Sequence, residues 1–232
     1  TTIADNAFKD CNAVYNLVLP DSVTTIGSSA FANMEKLVQD FTIKDNVTTI
    51  GSGIFDGCGV KKVIIGSGSK MTTLGNSAFK NCKNITGIDI EASGMTTINN
   101  SAFEGCENLT SVTLPAALTT LGNRVFYGCT QLGSLTIPEG VNSMGTELFS
   151  GCSTLTTIND FNKCKFTRIE DNCFNGCTSL KTLSLPENSA NGKLELSSSA
   201  FSGCSGLEEI SLPAAVQSIP DSEFASATNL SS

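Results

Sequence analysis

Phenylalanine recurs along this chain at an almost constant interval. Ten of the 13 phenylalanines lie 23 to 27 residues apart, most of them in one short phrase, as in INNSAFEGC and LGNRVFYGC. A single globular core has no reason to repeat its sequence, whereas stacked coils must, because each coil buries its apolar face only against its neighbours. The period therefore predicts a solenoid of about ten coils. The column phenylalanines are Phe8, Phe31, Phe55, Phe79, Phe103, Phe126, Phe149, Phe174, Phe201 and Phe224.

The residues around each column phenylalanine predict a single helical turn. Three residues before it stands a side chain that can cap a helix, such as Ser28, Asn100 or Asp171. Two residues after it stands Gly, Asn or Asp in nine of the ten repeats, and these types tolerate positive φ and commonly end helices. We therefore expect a capped helical turn that the buried phenylalanine holds in place.

After this turn the sequence takes the period of an extended chain. In LTSVTLP (109–115) and LGSLTIP (132–138) the last apolar residues alternate with polar ones, and proline then ends the strand. A second extended segment, VTTIG or a variant of it, leads to the next turn. We expect the strands of successive coils to stack in parallel, with one face of the sheet inward.

The combined pattern L-x-x-I-x-L-P-x-x-V-x-x-I-G-x-x-A-F-x-x-C resembles the BspA-like leucine-rich repeat, also called the Treponema pallidum type. Residues 112–129 match it almost position for position, and the likeness covers essentially the whole chain. Met34 and Ala227 in place of Cys, and Glu223 in place of Ala, depart from it. The resemblance implies a right-handed leucine-rich-repeat solenoid. It also implies a surface or secreted protein of a host-associated bacterium or parasitic protist that adheres to host proteins and cells.

The unbroken repeat predicts one leucine-rich-repeat domain over residues 1–232. Because the chain opens and stops inside repeats, we expect a fragment of a longer protein. A net charge of −8 without any block of basic residues argues against a nucleic-acid partner. No apolar run approaches the roughly 20 residues that cross a bilayer, so we expect no membrane insertion by this segment. The expected location at the cell surface or outside the cell follows from the resemblance alone.

Eight of the ten cysteines lie three residues after a column phenylalanine, one in each coil. Metal ligands must converge on one point, and the chain has no histidine, so we expect no metal and no cofactor. Stacked side chains point in parallel, which favours buried free thiols, with disulfides as the alternative. Of the two remaining cysteines, we expect Cys173 to be buried and Cys164 to be exposed.

The absence of histidine excludes Ser-His, Cys-His and His-metal centres. A carboxylate pair could still serve a glycosidase, but the pairs Glu104/Glu107 and Glu208/Glu209 fall on repeat positions typical of coil surface. We therefore expect no enzyme and favour a non-enzymatic interaction or adhesion module. Its expected partners are proteins, including host extracellular matrix or cell-surface proteins. The alternatives are a structural spacer for another domain and, less favoured, a carbohydrate-active enzyme.

Two regions are candidates for binding. The exposed strand residues form a hydroxyl-rich sheet face with few of the aromatic and arginine anchors typical of binding sites, and this face could equally be plain solvated surface. The repeats from Phe149 and Phe174 are 25 and 27 residues long, and insertions in solenoids often carry function. The extra residues of the second repeat fall in 187–193. The candidate binding residues are Ser134, Thr136, Thr157, Asn159, Thr182 and Ser184 on the sheet, and Phe161, Lys163, Lys165 and Arg168 in the first long repeat.

Overall fold

The computed structural model of the chain describes residues 1–92, 94–187 and 192–231 and is a solenoid of short parallel strands. Within these residues the one helical element is a 3₁₀ helix over Phe161–Lys163. The strands are β1 (Thr2–Ile3), β2 (Thr25–Ile26), β3 (Asp40–Ile43), β4 (Thr49–Ile50), β5 (Lys62–Ile65), β6 (Thr73–Leu74), β7 (Gly87–Ile90), β8 (Thr97–Ile98), β9 (Ser111–Thr113), β10 (Thr120–Leu121), β11 (Ser134–Thr136), β12 (Ser143–Met144), β13 (Thr157–Asn159), β14 (Arg168–Ile169), β15 (Thr182–Ser184), β16 (Glu195–Leu196) and β17 (Glu209–Ser211).

Seven of the nine repeats contribute one longer and one shorter strand among the described residues, and these stack in two separate columns. The longer strands pair in the orders β3-β5-β7-β9, β11-β13 and β15-β17. The two-residue strands pair as β1-β2-β4, β6-β8-β10-β12 and β14-β16, and every pairing is parallel. The predicted leucine-rich-repeat solenoid with a parallel sheet on one face is confirmed. The ten column phenylalanines delimit nine complete repeats.

The core is a continuous apolar column that runs through the stack. In β11, Leu135 is buried while its neighbours Ser134 and Thr136 are exposed, which is the alternation that the sequence predicts. Consecutive column phenylalanines stack with ring centroids 5.1–5.8 Å apart. The rings from Phe31 to Phe201 are all buried. Each ring is therefore covered by the repeats before and after it.

The turn around each column phenylalanine is not helical, which corrects the expectation of a helical turn. In the repeat of Phe103, residues Ser101 and Gly105 have φ values of 58° and 72°. The N–H groups of Ser101, Phe103 and Gly105 donate to carbonyls of the next coil at 2.8, 3.0 and 2.8 Å. The N–H of Glu104 closes an i→i−3 turn with the carbonyl of Ser101 at 3.2 Å instead. With positive φ at Ser101 and Gly105, every second N–H of the turn points along the solenoid axis and meets a partner there.

The residues expected to cap a helix bond across coils as well. Asn100 Oδ1 accepts a hydrogen bond from the N–H of Asn123 at 2.8 Å, and Asn123 Oδ1 accepts one from the N–H of Thr146 at 3.0 Å. Asp5 Oδ1 accepts from the N–H of Ser28 in the same way. These side chains accept a backbone hydrogen bond as predicted, but the donor belongs to the neighbouring coil, so they do not cap a helix.

Candidate interaction surface

The six candidate residues on the sheet lie on one exposed face. Ser134 and Thr136 of β11 stand in register with Thr157 and Asn159 of β13. Asn159 Nδ2 donates to Thr136 Oγ1 at 3.4 Å. Thr182 and Ser184 occupy the same outward positions in β15, and all six side chains are exposed. The structure thus brings the sheet candidates together as neighbours on a common surface.

This surface carries no charge over four consecutive strands. We call it the hydroxyl strip, defined as the outward residues of β9, β11, β13 and β15. Its members are Ser111, Thr113, Ser134, Thr136, Thr157, Asn159, Thr182 and Ser184. On one side it is bounded by the ion pair of Lys62 with Asp89. The hydrogen bond to Asp89 and the negative charge of that residue raise the pKa of Lys62. On the other side it ends at Glu209, in register with Thr182.

Phe161 is buried, which corrects its prediction as a contact residue. Its side chain is 1% exposed, and its ring lies 5.1 Å from that of Phe166 and 5.7 Å from that of Phe174. The preceding coil places the buried Ile137 directly after its strand. In this coil the 3₁₀ helix begins after Asp160, a residue with φ of 62°, and directs Phe161 inward. The insertion therefore enlarges the core at this point.

The basic residues of the same segment are exposed, and two of the three are paired with acids. Lys163 Nζ lies 2.7 Å from Asp160 Oδ1, and this contact raises the pKa of Lys163. Arg168 contacts Glu170 at 3.5 Å and Glu195 at 4.0 Å. Lys165 is exposed, and none of the ion pairs among the described residues includes it.

The segment that holds Lys163, Lys165 and Arg168 is therefore close to neutral rather than a basic patch.

Of the second insertion, 187–193, residues 188–191 lie outside the described part of the chain.

The cysteines form a ladder of buried thiols rather than a reactive site. All ten are free, and nine of them are buried. Cys106 Sγ donates to the carbonyl of Phe79 in the preceding coil at 3.1 Å, and Cys152 Sγ donates to that of Phe126 at 3.1 Å. Burial raises the pKa of each of these two thiols to about 12, so neither is a thiolate at neutral pH. Among the described residues, no group of His, Cys, Asp and Glu could hold a metal ion.

Cys164 is buried, contrary to its predicted exposure, whereas Cys173 is buried as expected. Cys164 Sγ approaches the carbonyls of Asp160 and Pro138 at 3.7 and 3.8 Å. Burial raises the pKa of this thiol to about 12 as well. The reason is shared with Phe161, since the 3₁₀ turn folds both side chains toward the core.

The carboxylates considered for catalysis are engaged in ion pairs, with one exception. Glu107 pairs with Lys83 at 3.0 Å and Glu208 with Lys181 at 3.3 Å, while Glu209 is exposed on β17. Glu104 is only 8% exposed, and its Oε1 lies 3.2 Å from both the Lys80 and the Arg124 nitrogens.

This last contact belongs to a network on the turn side that the sequence reasoning missed. Arg124 stacks over the ring of Tyr127 at 4.0 Å and also reaches Glu147 at 3.7 Å. Glu104 Oε2 and Arg124 Nε are buried without a hydrogen-bond partner. The signal was an arginine at a repeat position where most coils have Ser, Asn or Gly, next to a tyrosine where the other coils have no aromatic residue.

Comparison with known proteins finds a protein family whose sequence model matches the chain. A model of the BspA type leucine rich repeat region matches residues 1–129 and 96–231, in six copies. A search of curated proteins finds no match. No helix among the described residues is long and apolar enough to cross a membrane.

Several solved structures are similar to the chain. A leucine-rich repeat protein of T. pallidum is 25% identical, with a TM-score of 0.63 over 73% of this chain and 78% of that one. A leucine-rich repeat protein of Eubacterium ventriosum is 24% identical, with a TM-score of 0.60 over 100% of this chain and 75% of that one. One from Bacteroides ovatus is 20% identical, with a TM-score of 0.55 over 99% and 74%. The latter two likenesses support the fold alone.

Proposed function

Because the chain belongs to the family of BspA-type leucine-rich repeat proteins, we propose that it is the non-enzymatic interaction module of a cell-surface or secreted protein. Leucine-rich repeats commonly act as protein-binding scaffolds with extended surfaces. In this proposal the hydroxyl strip is the docking face, and its partners are proteins of a host or neighbouring cell, including extracellular matrix proteins. Adhesion is the role that this assignment implies.

One observation supports the choice of the hydroxyl strip as the docking face. Over four strands, the outward side chains are small, exposed and uncharged, and the strands beneath them are joined to a continuous buried core. Such a face lets a partner approach the backbone closely without desolvating a buried ion pair. It has no Trp, Tyr or Arg anchor, so binding energy must be spread over many small contacts. We therefore expect affinity to depend on shape and to change little with salt concentration.

Substitution of the strip by a large charged side chain tests this assignment. We expect Thr157→Arg to abolish or strongly weaken binding to a matrix or host cell-surface protein, because a long charged side chain at the centre of the strip blocks close approach. The matched control is Asn142→Arg, which adds the same side chain at an exposed position next to β12. Binding is measured by biolayer interferometry against a panel of matrix and cell-surface proteins.

Equal loss in both variants would count against the strip as the docking face. If no protein of the panel binds the unmodified chain, the spacer function would replace the interaction module.

A further inference from the structure

The turns of successive coils are normally joined by backbone hydrogen bonds. We number the coils by their column phenylalanine, so that coil nine holds Phe201 and coil ten holds Phe224. In an ordinary pair of coils, the N–H groups of the column phenylalanine and of the residue two before it donate to backbone carbonyls of the next coil. The pair that holds Phe126 and Phe149 shows this, because the Phe126 N–H donates to the carbonyl of Leu148 at 3.0 Å.

Between coils nine and ten a carboxylate takes the place of these carbonyls. The N–H of Ser199 donates to Glu223 Oε2 at 2.8 Å, and the N–H of Phe201 donates to Glu223 Oε1 at 2.8 Å. Glu223 is 3% exposed although it carries an ionisable side chain. It stands directly before the column phenylalanine, where the other nine coils have an alanine, another apolar residue or a cysteine.

The local backbone explains why a carboxylate fits here. Ser199 has a φ of 65°, and with this geometry the N–H groups on either side of residue 200 point the same way, along the solenoid axis. Neighbouring N–H groups that converge in this manner form an anion-binding concavity. Each carboxylate oxygen accepts one of the two bonds, and both are charge-assisted. In coil ten, Pro220 stands where most coils donate a backbone bond to the previous coil, and proline has no N–H to donate.

We propose that the turn of coil nine is a carboxylate-binding site, formed by the backbone N–H groups of Ser199 and Phe201 and occupied in cis by Glu223. The same two N–H groups are present in other coils, where the next coil covers them with its own carbonyls. At coil nine alone among the described turns, a side chain covers both. Glu223 is therefore a side-chain link between the turns of coils nine and ten.

Chemical rescue tests this site directly. Glu223→Ala removes the carboxylate and leaves a space the size of acetate. We expect the amides of Ser199 and Phe201 to exchange with solvent about tenfold faster or more in this variant, because each loses a hydrogen bond to a charged acceptor. Added acetate should restore their protection in a saturable manner. Acetamide, which has the same shape without the charge, and sodium chloride at equal ionic strength should not. Exchange is followed residue by residue by NMR.

Two controls isolate the effect. Glu209→Ala removes an exposed glutamate from β17 and should leave both amides protected. In the unmodified chain, acetate should change nothing because Glu223 already fills the site. Unchanged protection in Glu223→Ala without acetate would overturn the proposal, since the backbone would then form the ladder without the side chain. Equal rescue by acetate and acetamide would overturn it as well.

A second variant covers the case in which Glu223→Ala unfolds coil ten beyond rescue. Glu223→Gln keeps the shape and one acceptor oxygen but turns an NH₂ group toward the other backbone N–H. We expect one of the two amides to lose protection and the other to keep it. Full protection of both would show that the charge and the second acceptor are not needed, and the site would not be one for carboxylates.

Discussion

The column phenylalanines and the cysteines three residues after them form what we call the turn column. The turn column and the hydroxyl strip occupy different sides of the same coils and differ in burial and in sequence variation. In the turn column, phenylalanine and cysteine recur almost unchanged, and their side chains are buried from Phe31 to Cys204. In the strip, Ser, Thr and Asn replace one another from strand to strand, and all eight residues are exposed. Stability therefore depends chiefly on the turn column, while substitutions in the exposed strip leave the core unchanged.

The largest expected effect comes from a substitution in the turn column. Phe126→Ala removes a buried ring that stacks at 5.8 Å on Phe103 and at 5.6 Å on Phe149. We expect a loss of about 3–5 kcal/mol in the free energy of unfolding, because the cavity is enclosed by coils on both sides. Thr157→Ala in the strip should stay within about 0.5 kcal/mol. Urea denaturation of the two variants measures the difference, and comparable losses would contradict this division of roles.

The second effect concerns Phe161, which the sequence placed with the binding surface and the structure places in the core. We expect Phe161→Ala to cost about 3 kcal/mol, at the lower end for a buried aromatic because an inserted turn can collapse into the space. Lys165→Ala, an exposed neighbour, is the matched control and should be nearly neutral. A neutral Phe161→Ala that weakens partner binding would instead restore Phe161 as a contact residue.

The smallest expected effect is on how the free energy of unfolding changes with pH, and it arises from the buried thiols of the turn column. The folded-state pKa of Cys106 and Cys152 is about 12, against an ordinary value of 9.0, because burial disfavours the thiolate. Between these values the unfolded chain loses the proton first, so the free energy of unfolding falls as pH rises above 9. Each thiol contributes about 1.4 kcal/mol per pH unit in this range.

We expect the double variant Cys106→Ala/Cys152→Ala to show a shallower decline with pH. Urea denaturation from about pH 7 to about pH 10 measures it. At neutral pH each substitution also removes a thiol hydrogen bond, which costs about 1 kcal/mol. The same pH slope in the double variant and the parent chain would show that the buried thiols do not control the decline.

Much of this organisation was predictable because the positions that repeat as apolar in every coil are the buried ones. The column phenylalanines, the alternation in β11 and the ladder of free cysteines follow from spacing alone, since a residue that is apolar at the same place in every coil must face the same core. The outward position of Thr157 and its neighbours follows from the same alternation. Whether those residues bind a partner is not encoded in their period.

The wrong predictions fall in two places: where the repeat length changes, and where a backbone hydrogen bond can form in either of two directions. Phe161 and Cys164 lie in an insertion, and an insertion carries no neighbour-to-neighbour repeat from which inward and outward positions can be read. The turn was expected to be helical because its capping side chain and its glycine suit a helix end as well as they suit two residues of positive φ.

The sequence by itself determined that the chain stacks in coils and which side chains lie inside them, because stacking imposes one apolar pattern on every coil. The tertiary structure decided where the backbone hydrogen bonds go. A turn N–H can bond within its own coil or to the next one, and the choice depends on whether a neighbouring carbonyl, or the carboxylate of Glu223, lies within reach. That information exists only when two coils are in contact.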